Sequence, residues 1–159
     1  MRVSILTISD SVAAGTAEDR SGPSVIDRCR ELGWRIVSSA IRADDRAAIE
    51  LFLKEAADSN DADVILTTGG TGLGPRDITP EATAAVVERM IPGFSEQMRA
   101  TGAEKTPRAV LSRGAAGIRG KTIIINLPGS PKGAVESLDA IADLLPHAVS
   151  VVHGARHEP

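Results

Sequence analysis

Two runs in this chain, Val64-Ile65-Leu66 and Ile123-Ile124-Ile125, are apolar at every position instead of at every second one. Successive side chains of a strand point to opposite faces of its sheet, so a strand of this kind needs apolar cover on both faces. That requirement points to a mostly parallel sheet with helices on both faces, and the rest of the chain supplies the parts. Strands are expected at Val3 to Ile8, Trp34 to Ile41, Val64 to Thr68 and Thr122 to Leu127, the last two central.

Helical spacing fills the intervals. Val25, Ile26, Cys29 and Leu32 recur on one stripe, with Gly33 placed for a left-handed C-terminal cap and Cys29 expected in the core. A second helix runs from about Asp45 with Ile49, Phe52, Leu53 and Ala56 inward, and Asp44 or Asp45 is suited to cap it. A third starts at Thr79-Pro80-Glu81, where a capping hydroxyl precedes a proline in the first turn, and its body carries Ala82, Val86 and Met90. Phe94 and Met98 suggest a short helix, but Gly102, Pro107, Gly114, Gly117 and Gly120 interrupt any longer pattern, and most of Pro92 to Gly120 stays unassigned. Val135, Leu138, Ile141, Ala142 and Leu145 predict one amphipathic helix that breaks or restarts at Pro146, and the tail from Gly154 is expected to fray. With no repeat and no linker-like stretch, the 159 residues read as one α/β domain, 1–159.

Charge and composition exclude several function classes. The formal charge is −3 with no basic stripe, and only Trp34, Phe52 and Phe94 are aromatic, so neither the electrostatics nor the stacking surface of a nucleic-acid protein is present. No run approaches membrane-spanning length, and Met1 to Ile8 is too short for a secretion signal before Asp10 intervenes, so a cytoplasmic protein is expected. The lone Cys29 rules out an internal disulfide and a cysteine-cluster metal site. His147, His153 and His157 lack acids or cysteines at ligand spacing, so zinc is not expected. No Ser/His/Asp or Cys/His arrangement suggests a protein nucleophile.

The chemistry is expected at strand ends. Thr67-Thr68-Gly69-Gly70-Thr71-Gly72 follows a central strand at its carboxyl end, where open α/β sheets bind ligands. Glycines let successive N–H groups converge on a phosphate, and the hydroxyls of Thr68 and Thr71 add donors. The turn has neither the Gly-Lys-Ser/Thr ending of a P-loop nor the first-strand position of a dinucleotide fingerprint. A valine at Gly70 is expected to fill the cradle with modest loss of stability. Asp77 stands five residues beyond. An acid beside a phosphate cradle calls for a cation between them, and magnesium binds through one or two carboxylates, phosphate oxygens and water; a helix cap or an ion pair with Arg76 is the alternative use of Asp77. Asp10, in Ser9-Asp10-Ser11, and Asp44 follow the first two strands and open on the same sheet edge. After the fourth strand, Asn126-Leu127-Pro128-Gly129-Ser130-Pro131-Lys132-Gly133 offers a second anion-type loop, with donors at Gly129 and Ser130 and a cation at Lys132.

These motifs, with Asp19-Arg20-Ser21-Gly22-Pro23, Arg76 to Ala82, Pro92-Gly93-Phe94 and Leu111-Ser112-Arg113, resemble the molybdopterin adenylyltransferases of the MogA/MoaB type, relatives of the gephyrin and Cnx G domains. The resemblance spans Val3 to about Gly154. It implies a three-layer α/β fold assembled as a homotrimer or hexamer, and a reaction that joins molybdopterin to Mg-ATP and releases pyrophosphate, for hand-over to a molybdenum-insertion protein. By position, Thr68 to Gly72 and Ser9, Asp10 and Ser11 would hold nucleotide phosphates, and Asp77 and Asp44 would be the catalytic acids at Mg²⁺. Asn126, Pro128, Gly129, Ser130 and Lys132 would face the second substrate. Asp44 follows Ala43 where the family often has proline, which keeps the carboxylate but removes a stiff residue from its loop. A non-catalytic molybdopterin-binding carrier or scaffold is the alternative the same resemblance allows.

Overall fold

The computed structural model describes residues 1–155; His157 and the last part of the tail expected to fray lie outside them. In chain order the elements are β1 Arg2–Ile8, α1 Asp10–Ala13, α2 Ser21–Glu31, β2 Arg35–Arg42, α3 Arg46–Asp58, β3 Val64–Thr68, α4 Thr79–Val86, β4 Arg89–Met90, α5 Pro92–Ala103, β5 Ala116–Arg119, β6 Thr122–Leu127, α6 Pro131–Asp139 and α7 Leu145–Val152, with 3₁₀ turns at Pro107–Leu111 and Ala142–Leu144. One sheet carries the strands in the order β2-β1-β3-β6-β5-β4. The first four run parallel, and β5 and β4 add an antiparallel edge.

The two unbroken apolar runs lie side by side at the centre, Val64 opposite Ile123, Ile65 opposite Ile124 and Leu66 opposite Ile125. Their alternate side chains feed two separate cores. Val64, Leu66, Ile123 and Ile125 pack with Val3, Ile5 and residues of α2, α5, α6 and α7, while Ile65 and Ile124 pack with Leu6, Ile8 and residues of α3 and α4. Cys29 is fully buried in the first core, and burial pushes its thiol up to about 12. The architecture is therefore three layers, helix–sheet–helix, as the doubly apolar strands require.

Several expectations fail in detail, each for a physical reason. Met90 does not continue the third helix: α4 ends at Val86, and Met90 lies on the short edge strand β4 with half its surface exposed. The stripe from Val135 to Leu145 is not one helix. It is the end of α6, a 3₁₀ turn and the start of α7, and the helical spacing arises because Leu138, Ile141 and Leu145 all enter the same core. Pro146 sits in the first turn of α7, where its missing N–H costs nothing. Within the unassigned stretch, Gly117 belongs to β5: a Cβ there would lie 2.7 Å from both the Arg89 carbonyl and Val87 Cβ, so the residue that interrupts the sequence pattern is the one the strand needs. Trp34 falls one residue before β2. Gly154 and Ala155 still hydrogen-bond back to α7, at Val151 and Ser150, instead of fraying.

Candidate active site

The loops after β1, β2, β3 and β6 open on one edge of the sheet, as parallel strands dictate. The turn after β3 is held by its carbonyls. The Thr79 hydroxyl donates to Gly69 O at 2.9 Å and the Thr79 N–H to Gly70 O at 3.1 Å. Arg113 donates from its backbone N–H to Thr71 O at 2.9 Å and from Nε to Gly72 O at 2.8 Å. All four carbonyls are thus turned inward. The N–H groups of Gly70, Thr71 and Gly72 have no protein partner among the described residues, which is the arrangement of an anion-binding nest. Gly69 and Gly70 have φ of 106° and 66°. At Gly70 a Cβ would run into the Thr79 hydroxyl and stand 2.9 Å from Asp44 Oδ1. The expectation for a valine there is corrected accordingly: it would strain the backbone and press on the groups beneath the turn, so the loss of stability is not modest.

This nest lines a cleft of about 620 Å³ together with Asp77, Asn126, Pro128, Gly129 and Ser130. The opposite wall comes from α5 and the following 3₁₀ turn, including Ser95, Met98, Arg99, Arg108, Leu111 and Ser112. Thr68 and Gly69 join the two loops from below, Thr68 Oγ1 donating to Pro128 O at 2.6 Å and Gly69 N to Leu127 O at 3.2 Å. Ser130 caps α6 by accepting from Gly133 N at 3.1 Å, which aims the positive end of that helix dipole toward the cleft. Asn126 is buried and its amide is used internally, donating to the Thr67 and Thr83 hydroxyls and accepting from Ala115 N. Lys132 is outside the cleft lining, on the surface of α6 beside Glu136.

The three acids converge in one corner, in different states. Arg76 grips Asp10 with two hydrogen bonds of 2.8 and 2.9 Å, and this holds the Asp10 carboxyl below the usual range. Asp10 and Asp44 exchange backbone-to-carboxylate bonds of 3.0 Å in both directions, and Arg76 also donates to Asp44 O. Asp44 itself is pushed up, first by burial and then by the charges of Asp10 and Asp77. Asp45, not Asp44, caps α3 by accepting from Ala48 N at 2.8 Å, so Asp44 is free of that duty. Asp77 is neither a helix cap nor an Arg76 partner: its Oδ2 accepts from Gly74 N at 2.8 Å, and Oδ1 has no protein partner among the described residues. Ser9 caps α1 and lies 3.2 Å from Ser11 across their hydroxyls. Thr79 does not cap α4, since its hydroxyl is committed to Gly69 O.

Asp44 and Asp77 are hard oxygen donors close enough to repel each other. Among the described residues no three His, Cys, Asp or Glu side chains group closely enough to hold an ion unaided. A cation here would complete its shell with phosphate oxygens and water, which suits magnesium. Sequence reasoning had Arg113 in a motif but missed its role, a side chain that bridges Gly72 O, Asp77 O and Glu81, and it missed the α5 wall with Ser95 and Arg99. No helix of the described chain is long and apolar enough to cross a membrane.

The family model described as "Probable molybdopterin binding domain" matches residues 4–147. A molybdopterin adenylyltransferase of Helicobacter pylori is 42% identical over 156 residues, 97% of this chain and 89% of the relative. One of Escherichia coli K12 is 38% identical over 161 residues, 97% of this chain and 79% of the relative. The crystal structure of the molybdopterin biosynthesis enzyme MoaB from Thermus thermophilus superposes with a TM-score of 0.91 at 46% identity, covering 99% of each chain.

Proposed function

We infer the activity from one premise: this chain belongs to the molybdopterin-binding domain family of molybdenum cofactor biosynthesis. It is a molybdopterin adenylyltransferase, as its relatives are named. The substrates we assign are molybdopterin and Mg-ATP. The observation that carries the reading is the nest: three successive N–H groups, at Gly70, Thr71 and Gly72, without a protein partner among the described residues, with all four carbonyls of the turn tied back.

A phosphate oxygen of molybdopterin attacks the α-phosphorus of ATP, the bond to the β-phosphate breaks, and pyrophosphate leaves. Such a transfer needs in-line positioning and charge neutralisation, not a protein nucleophile. Cys29, buried with a thiol pushed up to about 12, is in no position to be one. The nest orients the nucleotide phosphates, and the α6 N-terminus opposes their charge from the second loop. Asp44 and Asp77 would hold Mg²⁺, which supplies charge neutralisation on the phosphates when bound. Arg76 saturates Asp10, so the corner keeps two carboxylates for the cation instead of three. Assembly into three or six copies, hand-over to a molybdenum-insertion protein and a cytoplasmic setting go with this reading.

Mixing the protein with molybdopterin, ATP and Mg²⁺ should release pyrophosphate, and Asp77→Ala should lose at least about 100-fold in kcat/KM while unfolding at the same temperature. Folded wild-type protein that binds pterin yet releases no pyrophosphate would be a carrier, and the catalytic reading would fall.

A further inference from the structure

Arg76 is exposed over 66% of its side chain, yet its guanidinium is committed to two loops at once. Nε and Nη2 take the two oxygens of Asp10 at 2.8 and 2.9 Å, and Nη2 also donates to Asp44 O at 3.0 Å. An exposed ion pair contributes little to stability, so folding alone is a poor explanation for this one. Its place is a better one. Arg76 precedes Asp77 in the chain and acts on the corner where the charges of Asp10 and Asp77 both bear on Asp44.

The other two acids each keep one oxygen open. Asp44 Oδ2 accepts from Asp10 N at 3.0 Å and Asp77 Oδ2 from Gly74 N at 2.8 Å, while both Oδ1 atoms have no protein partner among the described residues. A Cβ on Gly70 would stand 2.9 Å from Asp44 Oδ1, and one on Gly72 would stand 2.9 Å from Asp77 Oδ2, so both acids border the nest. Magnesium and manganese take about six oxygens in octahedral geometry, drawing on one or two carboxylates and completing the shell with phosphates and water. Two single oxygens hold such an ion weakly by themselves. Beside a cradle filled with phosphates they suffice. A third charged carboxylate would upset that balance, because added negative charge strengthens cation binding whether or not phosphate is present. Asp10 is that third carboxylate, and Arg76 cancels its charge.

We propose that Arg76 is a positioning residue that makes cation binding depend on the nucleotide: by keeping Asp10 neutralised and out of the ligand set, it leaves a corner that retains a divalent ion only together with phosphates on the nest. This rests on the adenylyltransferase reading for the identity of the nucleotide. Such a corner accepts ATP as its magnesium complex and stays clear of bare metal between turnovers.

Manganese alone, followed through the loss of its free-ion electron paramagnetic resonance signal, reads the corner without turnover and without molybdopterin. Arg76→Met should bind Mn²⁺ about tenfold more tightly than wild type, since the charge of Asp10 is released. Its melting temperature should stay within about 2 °C of wild type, as suits an exposed pair. Arg76→Lys, which keeps the positive charge, and the double variant Arg76→Met/Asp10→Asn, which removes both charges, should bind Mn²⁺ as weakly as wild type. A merely structural arginine would not produce that pattern. Equal Mn²⁺ affinity in wild type and Arg76→Met, or a gain that persists in the double variant, would overturn the assignment. Calorimetry of ATP with wild-type protein tests the reading beneath it: affinity should rise at least about tenfold when Mg²⁺ is added. Equal ATP affinity with and without Mg²⁺ would remove the Mg-ATP reading and the proposal with it, whereas the Mn²⁺ outcomes bear on Arg76 alone.

Discussion

At the scale of single residues, the cradle depends on a side chain remote from it in sequence. Arg113 reaches Gly72 O across 41 positions, and also takes Asp77 O at 2.6 Å and Glu81, so one guanidinium fixes both the turn and the loop that carries the acid. Its planar fork is what allows three acceptors at once; a lysine ammonium could not hold them in that geometry. Arg113→Lys should therefore leave loop carbonyls under-bonded, lower stability by about 1–3 kcal/mol in denaturant titration, and raise the KM for ATP about tenfold because the nest N–H groups lose their common aim. An ATP affinity that survives the substitution would mean that the turn is not the phosphate site. The sequence showed Leu111-Ser112-Arg113 as a motif but not its task, because a hydrogen bond between residues so far apart leaves no local pattern. The glycines, by contrast, were legible as a turn from composition alone. What was not legible is what a side chain there would meet: the Thr79 hydroxyl and the Asp44 carboxylate.

At the scale of elements, the strands that carry function were the easiest to read. β3 and β6 are apolar on both faces because each faces a different core, and that pattern has few alternatives. β4 and β5 were missed because they are short and antiparallel at an edge, and because Gly117 removes a side chain where two strands crowd. The segment from α6 to α7 misled in the opposite direction, since three short pieces sharing one core mimic a continuous stripe. The start of α3 shows how finely elements divide labour. Asp44 and Asp45 are adjacent, both were candidates for the cap, and the backbone gives the cap to Asp45 and the corner to Asp44. Asp45→Ala should cost about 1 kcal/mol, read as a melting temperature lower by about 2–4 °C, with pyrophosphate release retained. Asp44→Ala should do the reverse, keeping the helix cap and losing turnover. Equal effects of the two changes on turnover would contradict this division.

At the scale of the whole molecule, the sheet separates binding at one edge from anchoring at the other. The amino-terminal ends of β1, β3 and β6 meet around Asp63, which is 8% exposed. Its N–H donates to Arg2 O and its carbonyl accepts from Ile123 N, while its carboxylate takes the Arg2 backbone N–H and guanidinium at 2.7 Å each. Burial alone would push this carboxyl up, but the bonds from Arg2 outweigh it and hold it below the usual range. A carboxyl lowered on folding contributes stability that is present above its unfolded value, near pH 4, and disappears as pH falls through the folded value. The acid limb of the stability curve therefore carries this tie, alongside the arginine-paired Asp10, Asp58 and Glu81, whose carboxyls are lowered too. Asp63→Asn should be less stable than wild type at pH 7, and its stability should fall less steeply between about pH 5 and pH 3. Because the tie lies at the edge opposite the cleft, turnover per folded molecule at pH 7 should not change. Denaturant titrations of both proteins across that range test the first claim, and parallel acid limbs would show that the Arg2–Asp63 bonds do not govern it. Loss of turnover in folded Asp63→Asn would show instead that the two edges are coupled through the strands, and that anchoring and catalysis are not separable in this fold.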